Sequence, residues 1–131
     1  MGLIYLDSCL LIYAYENNPQ YGASVRTALS KEPPEKIAIS PLTKMECLVK
    51  PIKTGNLVVQ RYYEESFESF SWLPMSDAVY ELATLLRARF NLKTPDALHL
   101  ACAQHHRCDA LWTNDDRLTQ AGHGLVRNIL R

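Results

Sequence analysis

Apolar positions along the chain follow two alternating periods, and that alternation predicts the fold. Leu3-Ile4-Tyr5-Leu6 is a short unbroken apolar run, the pattern of a strand buried on both faces. Asp7 ends it and Ser8 is placed to cap a helix, in which Leu10, Leu11, Ala14 and Tyr15 fall on one side until it runs out at Asn17-Asn18-Pro19. A second helix is expected from Tyr21 to Lys31, closed by Glu32-Pro33-Pro34 because residues before proline avoid the helical region. Ile37-Ala38-Ile39 predicts a second strand. Ser40-Pro41 is a cap-then-proline helix start, and that helix should run to about Val49, where Lys50-Pro51 would stop it. Leu42, Met45 and Val49 supply its expected buried stripe, with Glu46 at the edge of the stripe.

The second half repeats the alternation. Thr54 to Phe70 reads as a longer helix with Val59, Tyr62, Tyr63, Phe67 and Phe70 at core-like spacing, a stripe that suits a core or a dimer surface better than base stacking. Ser71-Trp72-Leu73 is a brief extended link ended by Pro74, and Ser76 caps a helix whose apolar face is Val79, Leu82, Ala83 and Leu86. Thr94 reads as the next cap and Pro95 as the first helical residue, which puts Asp96 in the first turn, near the positive end of the helix dipole. Ala97, Leu98, Ala101 and Cys102 would turn toward the core. Asp109 to Thr113 is a further strand, Asn114 to Leu118 turns off its end into a short helix, and Leu125 to Leu130 closes the chain as a last strand after the Gly122-His123-Gly124 turn.

Strands alternating with helices imply an α/β fold, a central parallel β-sheet of four or five short strands flanked by helices on both faces. Its 131 residues suit one domain spanning 1–131. Right-handed crossovers then bring successive strand ends to one edge of the sheet.

Lys plus Arg and Asp plus Glu number 14 each, so a polyanion would meet a local basic patch and not a generally basic surface. The N-terminal stretch has neither a basic lead nor an apolar run long enough for a signal peptide or membrane span, and a cytoplasmic protein with no membrane partner is expected. Cys9, Cys47, Cys102 and Cys108 lie in or beside apolar segments without C-x-x-C spacing, which fits reduced, buried thiols. Cys102, His105, His106 and Cys108 lack a second ligand pair, so a zinc site is not expected there.

The sheet edge would collect Asp7, Asp96 and Asp115, with Glu46 reaching in from its helix. Each acid also has an ordinary explanation. Asp7 and either Asp115 or Asp116 could cap helices, Asp96 could complement a dipole, and Glu46 could pair with Lys50 one turn on. Together, though, ionised carboxylates within a few ångströms repel by roughly 1 kcal/mol or more per pair, and a divalent cation relieves that repulsion. Oxygen-only ligands favour Mg²⁺ or Mn²⁺, and ions of that kind activate water for phosphodiester hydrolysis.

Leu6-Asp7-Ser8, Ser40-Pro41-Leu42-Thr43-Lys44-Met45-Glu46, Thr94-Pro95-Asp96-Ala97-Leu98-His99-Leu100-Ala101 and Thr113-Asn114-Asp115 followed by Leu118 resemble, in this order, the acidic signatures of PIN-domain ribonucleases, most closely the VapC toxins of toxin–antitoxin pairs. The resemblance spans nearly the whole chain. It implies a Mg²⁺- or Mn²⁺-dependent endoribonuclease in which Asp7, Glu46, Asp96 and Asp115 hold the metal and activate water. It also implies a homodimer, an RNA substrate and a VapB-like antitoxin. Cys9 stands where the family more often has asparagine or serine, and Leu118 where an aromatic is usual. Ser8, Thr113 and Asp116 are additional site candidates. Lys44, Lys50, Lys53 and Arg117 either steer an RNA backbone or form an ordinary solvated surface. Two other functions fit clustered acids: a metal-dependent phosphatase, which would want a nucleophilic aspartate and a phosphate-gripping lysine in a recognisable context, and a non-catalytic RNA-binding module on the same scaffold, which would be expected to have lost an acid.

Overall fold

In the computed structural model, which describes residues 2–130, the first apolar run becomes strand β1 (Ile4–Leu6), buried at every position. It pairs with β2 (Ile37–Ile39) on one side and β4 (Ala110–Thr113) on the other, while β3 (Ser71–Trp72) and β5 (Val126–Asn128) form the edges. All pairings are parallel, in the order β3-β2-β1-β4-β5. The connections carry α1 (Ser8–Tyr15), α2 (Gly22–Ser30), α3 (Pro41–Lys53), α4 (Leu57–Phe67), α5 (Asp77–Phe90), α6 (Thr94–His105) and α7 (Asp116–Ala121).

Because side chains alternate across a strand, β1 feeds two cores. Ile4 and Leu6 join Ile37 and Ile39 against α1 to α4, where Leu10, Leu11, Val25, Cys47 and Tyr63 are buried. Tyr5 faces the opposite layer with Ala38 and Leu111, against Val79, Leu86, Leu100 and Leu118. The sheet thus has helices on both faces, as the alternation of elements predicts. Helix α6 is buried at every residue from Ala97 to Ala103, so it is held on all sides and not along one stripe.

Several local expectations are corrected. Pro51 does not stop α3. The ring has no N–H to donate, but it is buried, and the helix continues to Lys53 before Thr54 closes it on the Lys50 carbonyl. The inward face of α3 is Leu42, Thr43, Cys47, Leu48 and Pro51, whereas Met45 and Val49 are exposed. Helix α4 is shorter than the expected 54–70, because Gly55 takes a positive φ of 69° and the Asn56 side chain caps the new helix through the Val59 N–H. Of its expected stripe, Tyr63 and Phe67 are buried and Tyr62 is exposed. Ser71 and Trp72 pair with β2 as an edge strand and are more than a link. Asp7 caps α1, leaving Ser8 as the first helical residue. The cap of α6 is Lys93, whose carbonyl takes the Ala97 N–H at 3.0 Å, so Thr94 and Pro95 each sit one position further in than expected and Asp96 stays in the first turn. The last strand is confined to the residues that pair with β4.

Leu111 is fully buried at the centre of β4, while Val58 is 80% exposed on α4. Leu111→Ala should therefore lower unfolding stability by about 2–5 kcal/mol in urea titrations at an unchanged m-value, and Val58→Ser should stay within about 0.5 kcal/mol.

Candidate active site

The chain lays β2 and β3 on one side of β1, then β4 and β5 on the other. In parallel sheets the crevice at such a reversal, outside the carboxyl ends of the strands, is where ligands bind. Asp7 leaves the end of β1 and Asp115 follows the end of β4, and Thr113 ties the two together. Its hydroxyl, fully buried, donates to Asp7 Oδ2 at 2.8 Å and accepts the Asp115 backbone N–H at 3.0 Å. The Asp7 N–H reaches the Trp112 carbonyl at 3.0 Å, so the acid is fixed by backbone and side chain alike.

Glu46 comes from the second turn of α3 and Asp96 from the first turn of α6. Asp7, Glu46, Asp96 and Asp115 all line one cleft of about 700 Å³, together with Ser8, Cys9, Asn114 and Arg117. Asp7 and Asp115 are also helix caps, so for these two the capping explanation and the shared cleft both hold. The pairing of Glu46 with Lys50 is not formed. Lys50 reaches Glu16 at 3.7 Å, while Glu46 Oε1 accepts from Ser8 Oγ at 2.7 Å and meets His99 Nε2 at 2.6 Å.

The acids differ in how their charge is managed. Burial pushes the Glu46 carboxyl upward, but the hydrogen bonds from His99 and Ser8 outweigh it and hold the group below the usual glutamate range. Asp115 is held low chiefly by Arg117, whose Nε and Nη2 reach its two oxygens at 3.1 and 2.8 Å; Lys93 adds a smaller pull. Asp96 goes the other way. Burial raises its carboxyl, Asp7 and Asp115 add to the rise, and Arg117 only partly opposes it. Among the described residues no hydrogen-bond donor reaches the Asp96 carboxylate.

The other candidates divide. Ser8, Thr113 and Arg117 are engaged with the acids, whereas Asp116, the first residue of α7, accepts from the Asn128 amide at 3.0 Å and does not line the cleft. Lys44 and Lys53 line a separate apolar groove with Met45, Ile52 and Trp72, and Lys50 is outside the cleft as well. Two groups near the acids carry no signal of their own in the sequence. Lys93, just ahead of α6, belongs to neither an apolar stripe nor an acidic motif. His99 is buried within an apolar run, but its i+3 spacing from Asp96 places it on the same side of the helix.

The donors in the cleft are carboxylate and hydroxyl oxygens, and their mutual repulsion is felt at Asp96; that chemistry fits a hard divalent cation such as Mg²⁺ or Mn²⁺. Among the described residues no three His, Cys, Asp or Glu side chains are already arranged to hold an ion. Arg117 occupies both oxygens of Asp115, and His99 with Ser8 occupies one of Glu46.

The PIN domain family model matches residues 4–124. Among solved structures, a toxin–antitoxin complex from Klebsiella pneumoniae superposes with a TM-score of 0.79 at 28% identity, covering 96% of this chain and 97% of that one. FitAcB from Neisseria gonorrhoeae superposes at 0.81 with 20% identity over 97% and 98% of the two chains. The sarcin-ricin-loop-cleaving toxin VapC20 of Mycobacterium tuberculosis superposes at 0.77 with 14% identity over 95% and 99%. The last two are likenesses of fold. No curated protein matches the sequence.

Since Asp7 raises the Asp96 carboxyl and Arg117 lowers it, the two substitutions should move it in opposite directions. In metal-free protein, Asp7→Asn should bring the Asp96 titration down toward the ordinary aspartate range and Arg117→Gln should push it further up, as read by carboxyl-carbon NMR.

Proposed function

The chain belongs to the PIN domain family, and on that premise we propose that it is a Mg²⁺- or Mn²⁺-dependent endoribonuclease, the toxin of a VapBC-type pair, with residues 1–131 forming one nuclease domain that acts in the cytoplasm. The observation that carries the proposal is the convergence of Asp7, Glu46, Asp96 and Asp115 on one cleft from four separate points of the chain. Asp7, Asp96 and Asp115, with Glu46, are the residues that would hold the metal. A bound ion there would supply charge neutralisation at a phosphoryl oxygen and a water of lowered pKa.

The protein groups have separable tasks. Thr113 holds Asp7 and the Asp115 backbone in register, so the two strand ends present their acids together. Glu46 is kept ionised by His99 and Ser8, both of which engage Oε1, and its other oxygen is available to orient the attacking water. Arg117 neutralises Asp115 and borders the cleft, where an RNA phosphate would next be met.

A VapB-like antitoxin and a second copy of the chain are the proposed protein partners. Supporting this, Met45, Val49 and Ile52 of α3 and Leu57 and Val58 of α4 are each more than half exposed, a density of apolar surface that partners commonly cover. The toxin–antitoxin complexes among the structural neighbours point the same way. Among the described residues no helix is long and apolar enough to cross a membrane.

Asp96→Asn keeps the shape of the side chain and removes its charge. It should reduce cleavage of an RNA substrate by about 100-fold or more with an unchanged circular dichroism spectrum, and full retained activity would refute the assignment. In the wild-type protein, EDTA should abolish cleavage and excess Mn²⁺ should restore it; cleavage that ignores the chelator would identify a metal-free ribonuclease instead.

A further inference from the structure

A chain of short hydrogen bonds runs from the sheet interior to a single acid in the cleft. Ser40 Oγ lies 2.6 Å from Tyr5 Oη, Tyr5 Oη lies 2.6 Å from His99 Nδ1, and His99 Nε2 lies 2.6 Å from Glu46 Oε1. Ser40, Tyr5 and His99 are at most 1% exposed, and Glu46 is the member that reaches solvent. We propose that His99 is a positioning residue that fixes the Glu46 carboxylate in one orientation, and that Tyr5 and Ser40 in turn fix the ring of His99. The proposal rests on the nuclease reading, because it assigns the fixed carboxylate to the ion and its water.

With His99 neutral, donor and acceptor accounting sets the direction of the whole chain. An ionised carboxylate only accepts, so His99 Nε2 carries the hydrogen. In a neutral ring Nδ1 is then an acceptor, and the Tyr5 hydroxyl, which burial keeps protonated, donates to it. The Tyr5 oxygen is left to accept from Ser40. That serine caps α3, the helix that carries Glu46, and it shares a capping box with Thr43. One network therefore ties β1, the start of α3 and the middle of α6 to the orientation of one side chain.

Mere satisfaction of buried groups does not require this arrangement. Ser8 Oγ, 3.2 Å from Nε2, offers His99 a partner that is not an acid, and Glu46 has access to water. A glutamate at a helix surface otherwise samples many rotamers, and ordering it has an entropic cost that the charge-assisted bonds offset. Both protein bonds fall on Oε1, so the anchor holds the carboxylate by one oxygen and leaves Oε2 for a ligand.

The test uses His99→Leu, which fills the space without a donor; His99→Gln, which can donate from near the Nε2 position; and Tyr5→Phe, which removes a single hydroxyl. Long-range ¹H–¹⁵N NMR of metal-free wild-type protein should show His99 as the Nε2–H tautomer, with a mixed population in Tyr5→Phe. Calorimetric Mn²⁺ affinity should fall about 10-fold or more in His99→Leu and recover largely in His99→Gln, and kcat on an RNA oligonucleotide should fall with KM unchanged. In a Glu46→Gln background His99→Leu should add no further loss, since it acts through Glu46. An Nδ1–H tautomer in the wild type, Mn²⁺ affinity and kcat unaltered in His99→Leu, or additive losses in the double variant would overturn the proposal. If His99→Leu fails to fold, His99→Gln and Tyr5→Phe carry the same comparison, and wild-type Mn²⁺ affinity and kcat in Tyr5→Phe together with a single Nε2–H tautomer would overturn it. Wild-type protein that binds Mn²⁺ and cuts no RNA would instead refute the nuclease reading, while the tautomer and affinity measurements still decide the role of His99.

Discussion

Carboxylates gathered in one cleft repel one another, and most of the local architecture here manages that repulsion. Three of the four acids are tied to a partner: Asp7 to the Thr113 hydroxyl, Glu46 to Ser8 and His99, Asp115 to Arg117. Asp96 has no such tie among the described residues, and its carboxyl is displaced upward, first by burial and then by Asp7 and Asp115. Burial and like charge thus act together on the acid that lacks a hydrogen-bond donor, and a cation in the cleft would offset both.

Holding the acids against their repulsion requires rigid supports, and the sheet provides them. Central placement of β1 buries Ile4 and Leu6 in one core and Tyr5 in the other, so the position of Asp7 is set from both faces. Complete burial of α6 from Ala97 to Ala103 does the same for Asp96 and His99. Dense packing leaves such elements little freedom to move apart, whatever the charges at their ends prefer.

Helix α3 shows how one segment serves several surfaces. Cys47 and Leu48 face the core, Glu46 and Val49 border the acidic cleft, and Met45 and Ile52 line an apolar groove with Trp72. A helix apolar on more than one side does not announce which side is buried, which is why its periodicity points Met45 and Val49 to the wrong face.

What the sequence determined by itself was the alternation of short apolar runs with helical stripes, and the placing of acids just past the strands and at the helix starts. Both arise from local physics: the two side-chain periods, the preference of acids for helix N-termini, and the parallel order that brings strand ends to one edge. Element ends were less legible, because tertiary contacts override local signals. Pro51 continues a helix once its ring is buried, and Lys93 displaces Thr94 as a cap through a backbone bond. The partners of the acids were decided by the tertiary structure alone. Glu46 binds His99 across 53 positions of sequence and Asp7 binds Thr113 across 106, and no periodicity encodes which donor will face which acceptor when two distant segments pack. A buried histidine inside an apolar run has the same local pattern whether it merely fills space or orients a carboxylate. Only the folded chain, by supplying Tyr5 on one side of the ring and Glu46 on the other, distinguishes the two.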